Sequence, residues 1–124
     1  MKVVIAHSIL KKEFKRGRIP PEDLRTILEG YAGGISVAIK GESLPKGSRL
    51  IKIYVTTVQG ARRIVFLVDV ATDTGFFLFY RSKNDVLGKN ISIHNPAFKK
   101  RLHEYLSLLM TDISAGHVSR YDVE

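Results

Sequence analysis

The sequence predicts one α+β domain over residues 1–124, in which a small twisted antiparallel sheet packs against helices. Three apolar segments between residues 49 and 83 follow one another at hairpin spacing. Two other segments repeat their apolar residues with the periodicity of an amphipathic helix. No internal repeat, low-complexity tract or linker divides the chain, so the strands and helices are expected to share one core.

The N-terminal part is expected to hold one strand and two helices. The run VVIA (3–6) indicates a short buried strand, and Ser8 is the expected cap of a short helix after it. PPEDLRTILEGY (20–31) indicates a second helix, because Pro21 suits the first helical turn and the apolar residues fall on one stripe. We expect both helices on one face of the sheet, which leaves the other face open.

The middle of the chain predicts a three-stranded meander. The segment ISVAI and a loop over 40–48 precede three strand-forming runs, and three- and four-residue connections join these runs as hairpins. The predicted strands are 49–57, 61–70 and 75–83.

A loop over 86–96 then leads to a C-terminal helix. Asn95-Pro96 is a helix-start signal, and Phe98, Leu102 and Tyr105 begin its core stripe. Residues 111–124 are mostly polar and are expected to form a loosely held, flexible tail.

Composition limits the classes of function. Twenty Lys and Arg face twelve Asp and Glu, a net charge of +8, which favours a polyanionic partner such as nucleic acid, or serves solubility alone. The chain has no cysteine, which excludes disulfides, thiolate nucleophiles and Cys-based metal sites. We expect a cytoplasmic protein, with no membrane partner, no metal and no small-molecule cofactor.

Cations are interleaved with the apolar residues of the meander. Because side chains alternate along a strand, one face of three neighbouring strands is expected to gather polar residues beside Phe77 and Phe79. These polar residues are Lys52, Tyr54, Arg63, Arg81 and Lys83.

Such a cluster suits RNA. Arginine forms a fork that matches phosphate, lysine is a point charge, and tyrosine can stack on an unpaired base. Packed cations could also stabilise the charge that develops when a 2′-hydroxyl attacks its own phosphodiester, without a metal. The alternative is structural, since cations at strand ends also prevent unwanted strand pairing.

Two further residues are candidates for contact with a substrate. Arg62 adjoins Arg63 within an apolar strand, and two adjacent arginines there are unusual. His94 lies in the loop after the cationic strands and could act as an acid or a base, or could be an ordinary surface residue. The four histidines show no metal-binding spacing.

The order LIKIYV, GARRIVFLVD and TGFFLFYRSKND resembles the sheet of the RelE/HigB-like toxins of bacterial type II toxin–antitoxin systems. In those toxins a Lys-Ile strand is followed by a turn, an Arg-Ile strand, an acidic turn, an apolar strand and a Lys-[Asn/Arg]-[Asp/Glu] motif. The segment FKRGRIPPEDLRTILEGYAGG also resembles their helical arm, and the resemblance covers residues 1 to 110 or so. The matching segments here are Lys52-Ile53, Gly60 to Phe66, Asp69 to Gly75 and Lys83-Asn84-Asp85.

This resemblance implies a RelE-like fold and a metal-independent, ribosome-dependent mRNA endonuclease that stops translation. Its partners would be mRNA, the ribosome and a cognate antitoxin protein. Lys52 matches a candidate base or charge stabiliser, Arg63 a phosphate clamp, and Lys83 the lysine of the last motif.

The chain departs from the toxin pattern at three places. Asn84 stands where some members carry an arginine that acts as the acid, and Arg81 or Lys89 would have to replace it. Tyr54 stands where some members have a second lysine. The base-stacking tyrosine of the family would fall near Lys89, where this sequence has no aromatic residue. Two alternatives therefore stay open: a ParE-like toxin that inhibits DNA gyrase on the same fold, and a non-catalytic basic module that binds nucleic acid or protein.

Overall fold

The computed structural model describes residues 1–123, which form an α+β fold around a six-stranded mixed sheet. The sheet order is β2-β3-β4-β5-β1-β6. The strands are β1 (Lys2–Ala6), β2 (Ile35–Ile39), β3 (Ser48–Thr57), β4 (Gly60–Asp69), β5 (Thr74–Ser82) and β6 (Val118–Asp122). The helices are α1 (His7–Glu13), α2 (Pro21–Gly33) and α3 (Pro96–Ala115), with a short 3-10 turn at Lys15–Gly17.

The predicted meander forms the middle of this sheet. Strands β3, β4 and β5 pair antiparallel, and β2 adds an antiparallel strand beside β3. The sequence did not predict the other side, where β1 pairs parallel with β5 and antiparallel with β6. The sheet is therefore mixed and twice as wide as the meander.

The expectation that one face of the sheet stays open is wrong. Helix α2 packs on one face, where Tyr31 lies 4.9 Å from Phe66 between ring centroids. Helix α3 covers part of the other face, because Phe79 stacks on Tyr105 at 4.7 Å and contacts Phe98 at 5.3 Å. All five residues of β4 from Ile64 to Val68 are buried, as expected for a central strand covered on both sides.

A β-bulge in β5 changes which side chains share a face. Val65 pairs with Phe79 and Phe66 pairs with Phe77, so Leu78 is an extra residue in its strand. The bulge places Phe77 on the α2 face and Phe79 on the α3 face. The prediction that both phenylalanines lie beside the cations is therefore wrong for Phe77.

Two predictions about the chain ends also differ from the structure. Ser8 does not cap α1; its backbone N–H and its hydroxyl donate to the buried carboxylate of Asp112, at 2.7 and 2.9 Å. The segment 111–123, expected to be loose, continues α3 to Ala115 and then forms β6; residue 124, the rest of that tail, lies outside the described residues.

The start of α3 is as predicted, with Asn95 Oδ1 accepting from the N–H of Ala97. Within residues 1–123, no helix combines the length and the apolar character needed to cross a membrane.

Candidate nucleic-acid interface

The α3 face of the sheet carries a cleft of about 310 Å³ beside the covered part of the core. Strands β3 and β4 form its floor, and the loop between β5 and α3 forms its wall. Its lining residues are Lys52, Tyr54, Arg63, Lys83, Asn84, Gly88, Lys89 and Ile91. We refer to this feature as the basic cleft, because it carries four cations.

Strand register brings the floor residues together. Tyr54 pairs directly with Arg63, and Lys52 precedes Tyr54 by two residues, so all three point to the same side. The Arg63 guanidinium carbon lies 4.4 Å from the centroid of the Tyr54 ring, and Lys52 Nζ lies 5.2 Å from it. The aromatic ring therefore holds two like charges close together through cation–π contacts.

The wall of the cleft comes from the loop after β5. Lys83 and Asn84 are exposed where the strand ends, and Lys89 follows one turn later. The four ion pairs found among residues 1–123 involve none of Lys52, Arg63, Lys83 or Lys89. Among the residues that the structure describes, none that lines the cleft is acidic, so the cleft cations have no counter-charge in its lining.

Close backbone contact shapes the wall. Gly88 is buried, and a Cβ atom there would collide with the carbonyl oxygen of Ser82 and approach Arg81 Cβ at 3.1 Å. Only glycine lets the loop lie this close to the end of β5. Sequence reasoning did not identify Gly88 or Ile91, since neither carries chemistry that would single it out.

Arg81 shares this face but is not part of the cleft lining. Its guanidinium donates to Glu13 at 2.6 and 3.0 Å and to Asp85 at 3.1 Å. Burial of the guanidinium works against its charge, but the hydrogen bonds and charges of Glu13 and Asp85 outweigh burial and raise the pKa of Arg81. A guanidinium engaged in this way cannot give a proton to a leaving group, which argues against the predicted catalytic role of Arg81.

Asp85 links Arg81 to the cleft wall. Its Oδ2 accepts from the backbone N–H groups of Leu87 and Gly88, at 2.9 and 3.2 Å. Partial burial opposes ionisation of Asp85, but these two donors and the charge of Arg81 lower the pKa of its carboxyl. Glu13, Arg81 and Asp85 therefore form a positioning network that anchors the loop.

Glu13 is the buried centre of that network, and the sequence analysis missed it. Its side chain is fully buried and also accepts from the Tyr105 hydroxyl at 2.6 Å and from the Tyr80 backbone N–H at 2.9 Å. Burial, followed by the hydrogen bond to Glu13, raises the pKa of Tyr105 to about 12. The available signal was a single acid among five cations in KKEFKRGR (11–18).

Two predicted contact residues lie elsewhere. Arg62 pairs with Val55 on the α2 face, and its guanidinium donates to the Ala61 carbonyl and to Gln59. His94 is exposed, and its backbone N–H donates to Ser92 Oγ, so it takes part in the turn before α3 and does not line the cleft. Within residues 1–123, no group of three or more His, Asp or Glu side chains is placed to hold a metal ion.

Comparison with protein-family models, with curated proteins and with solved structures finds no match for this chain.

Proposed function

We propose that the basic cleft binds single-stranded RNA and cleaves it, as the toxin of a type II toxin–antitoxin system with a RelE-like fold. One observation carries the proposal: Lys52, Arg63, Lys83 and Lys89 line one cleft together with Tyr54, and none of its lining residues within 1–123 is a carboxylate. Such a cleft has an excess of positive charge, and its size suits one or two phosphate groups. An RNA backbone supplies the missing anions and releases counterions on binding.

The chemistry that fits this site is transfer of a phosphodiester to the neighbouring 2′-hydroxyl. The 2′-oxygen forms a bond to phosphorus, the bond from phosphorus to the 5′-oxygen breaks, and the products are a 2′,3′-cyclic phosphate and a 5′-hydroxyl. One proton leaves the 2′-hydroxyl and one reaches the departing oxygen. The reaction consumes no co-reactant, so it needs only positioning, charge stabilisation and proton transfer.

Each cleft residue has a role in this scheme. Arg63, whose guanidinium carbon lies 4.4 Å from the centroid of the Tyr54 ring, presents its fork to the two non-bridging phosphate oxygens. Lys52 beside it stabilises the charge that develops on phosphorus or accepts the 2′-proton, and Lys83 serves as a second clamp. Asn84 and Lys89 line the wall of the cleft, where they would contact the neighbouring nucleotide and the departing oxygen.

The proposal extends to partners and cellular role. The ribosome would present mRNA to the cleft, and cleavage there would stop translation. A cognate antitoxin would neutralise the toxin by covering the cations, since an acidic segment is electrostatically complementary to them. A gyrase-inhibiting toxin and a non-catalytic binding module are the outcomes that the next experiment separates from cleavage.

The test compares two adjacent arginines on opposite faces of β4. Arg63→Ala removes a cleft cation, and Arg62→Ala removes a cation on the α2 face with the same change in net charge. Each protein is induced in a bacterial host while growth and pulse-labelled protein and DNA synthesis are followed, and each purified protein is incubated with labelled mRNA bound to ribosomes.

We expect the wild type and Arg62→Ala to stop protein synthesis first and to produce RNA ends with a cyclic phosphate. Arg63→Ala should lose at least about a hundredfold in cleavage, as expected for a lost transition-state contact to a charged oxygen. Early arrest of DNA synthesis would favour gyrase inhibition instead. Equal loss in both variants, or no growth arrest by the wild type, would contradict the proposed site.

A further inference from the structure

Strand β2 forms one edge of the sheet and is not protected in the usual way. Its sequence ISVAI contains no charge and no proline, and four of its five residues are exposed. The opposite edge differs, because β6 carries Arg120 and Asp122. Exposed edge strands present unpaired N–H and C=O groups that can accept another strand, and charges, prolines or bulges normally prevent this.

The apolar side chains of β2 lie on the same face as the basic cleft. Ile35 pairs with Tyr54 and Val37 pairs with Lys52, so both side chains point to the α3 face of the sheet. They are 74% and 44% exposed, which is unusual for large aliphatic residues in a strand. A strand added along β2 would cover them and would lie beside the cleft.

We propose that β2 accepts an extended, acidic segment of another protein, which adds to the sheet as a seventh strand. Backbone hydrogen bonds along the edge provide affinity, as in other cases of strand addition. Every second side chain of the added segment points to the α3 face, where its methylene groups cover Ile35 and Val37. Their carboxylates then reach Lys52, which has no ion-pair partner among residues 1–123.

Charge argues for this occupant over a second copy of the chain. Pairing of β2 with itself would bring two copies of Lys52 toward one another and join two chains of net charge +8. Like charges across an interface are destabilising, whereas an acidic segment is attracted by the same field. The inference does not rest on RNA cleavage, because the edge strand and its charges exist whether or not the cleft is catalytic. If the cleft binds RNA, the added segment and RNA would compete for Lys52.

The experiment uses a synthetic peptide of about eight residues that alternates glutamate and valine, a length matched to a typical strand. Binding to the full chain is followed by NMR chemical shifts and by amide hydrogen exchange of residues 35–39. Two control peptides are a lysine–valine peptide of equal length and the acidic peptide N-methylated at alternate residues, which removes the donors of one edge.

The variants are matched in charge and exposure. Val37→Glu places a repelling carboxylate on the edge strand, and Val70→Glu makes the same substitution at a residue 53% exposed beyond the end of β4. Ile35→Glu repeats the test at a second β2 position in case Val37→Glu does not fold. We expect the acidic peptide to slow exchange in β2, with at least tenfold weaker binding to Val37→Glu or Ile35→Glu and less than twofold change for Val70→Glu.

Several results would overturn the inference. They are equal binding of the lysine peptide, equal binding of the N-methylated peptide, and no protection of β2 at millimolar acidic peptide. Protection of β2 that rises with protein concentration alone would identify a second copy as the occupant. None of these readouts uses RNA, so failure here leaves the proposed cleavage standing, and an inactive cleft leaves the docking edge standing.

Discussion

The guanidinium of Arg81 lies 2.6 Å from the buried carboxylate of Glu13, although the two residues are 68 positions apart in the chain. Strand β1 accompanies β5 only from Thr74 to Phe76, after which the chain turns into α1. Beyond Phe76, β1 no longer pairs with that edge of β5. There the Glu13 carboxylate at the end of α1 accepts a hydrogen bond from the backbone N–H of Tyr80. A single side chain thus closes a sheet edge and holds the arginine that supports the cleft loop.

Glu13→Gln should strongly destabilise the fold. Removing the charge leaves the buried part of Arg81 without its main partner, which costs about 3 kcal/mol in the free energy of unfolding. Urea denaturation measures the change. Glu104→Gln is the control, because Glu104 forms a half-exposed pair with Lys12 at 3.5 Å that should contribute less than about 1 kcal/mol. Similar losses in both variants would contradict a structural role for the network.

The Asp85 carboxylate should make stability depend on acidic pH. Its pKa is lowered in the folded protein, so the unfolded chain binds the proton more readily. Its contribution is therefore complete above the ordinary aspartate pKa and is lost as the pH falls through the lowered folded value. Urea denaturation at several pH values between 2 and 6 gives the free energy of unfolding as a function of pH. This free energy should change less with pH for Asp85→Asn than for the wild type. An unchanged pH dependence would mean that Asp85 does not hold the loop in solution.

Gly88→Ala should strain the loop that carries Lys89. The added methyl group would overlap the Ser82 carbonyl oxygen, so the loop must move at a cost of about 1–3 kcal/mol. Gly33→Ala is the control, since a Cβ there meets no atom within 4 Å and lies in the last turn of α2, where alanine is neutral or favourable. Thermal unfolding compares the two variants. Equal melting temperatures would show that the loop adapts without cost.

Tyr54 should contribute to RNA binding by positioning Arg63. Tyr54→Phe keeps the aromatic face and should bind RNA within about twofold of the wild type, whereas Tyr54→Leu loses a cation–π contact of about 0.5–1 kcal/mol and should bind about two- to fivefold more weakly. Fluorescence anisotropy with a short single-stranded RNA measures both. If Tyr54→Phe is as weak as Tyr54→Leu, the hydroxyl and not the ring makes the important contact.

RNA binding should depend steeply on salt. If all four cleft cations contact phosphate, the logarithm of the association constant should fall with the logarithm of salt concentration with a slope of about −3 for a single strand. Lys89→Ala should reduce the slope to about −2. Lys2→Ala, an exposed lysine at the start of β1, should leave it unchanged. A slope near zero for the wild type would exclude the cleft as a phosphate site.

Much of the cleft floor was predictable from local sequence. The two-residue turn Val58-Gln59 sets the register of β3 and β4, and alternation then decides that Lys52, Tyr54 and Arg63 point the same way. The start of α3 at Asn95-Pro96 was equally readable, because a cap acts on the residues next to it. The unbroken apolar run of β4 also indicates that both faces of the sheet are covered, although the predicted fold left one face open.

The sequence by itself determined which cations stand on neighbouring strands and which apolar residues build the sheet, because these follow from alternation, turn length and charge near one another in the chain. Only the tertiary structure decided that Arg81 supports the loop, whereas Arg63 forms no ion pair within residues 1–123 and lies in the cleft. That difference depends on Glu13 arriving from α1, on the bulge at Leu78 and on the packing of α3 over Phe79. Contacts between distant residues depend on the whole packed arrangement, so no short stretch of sequence specifies them.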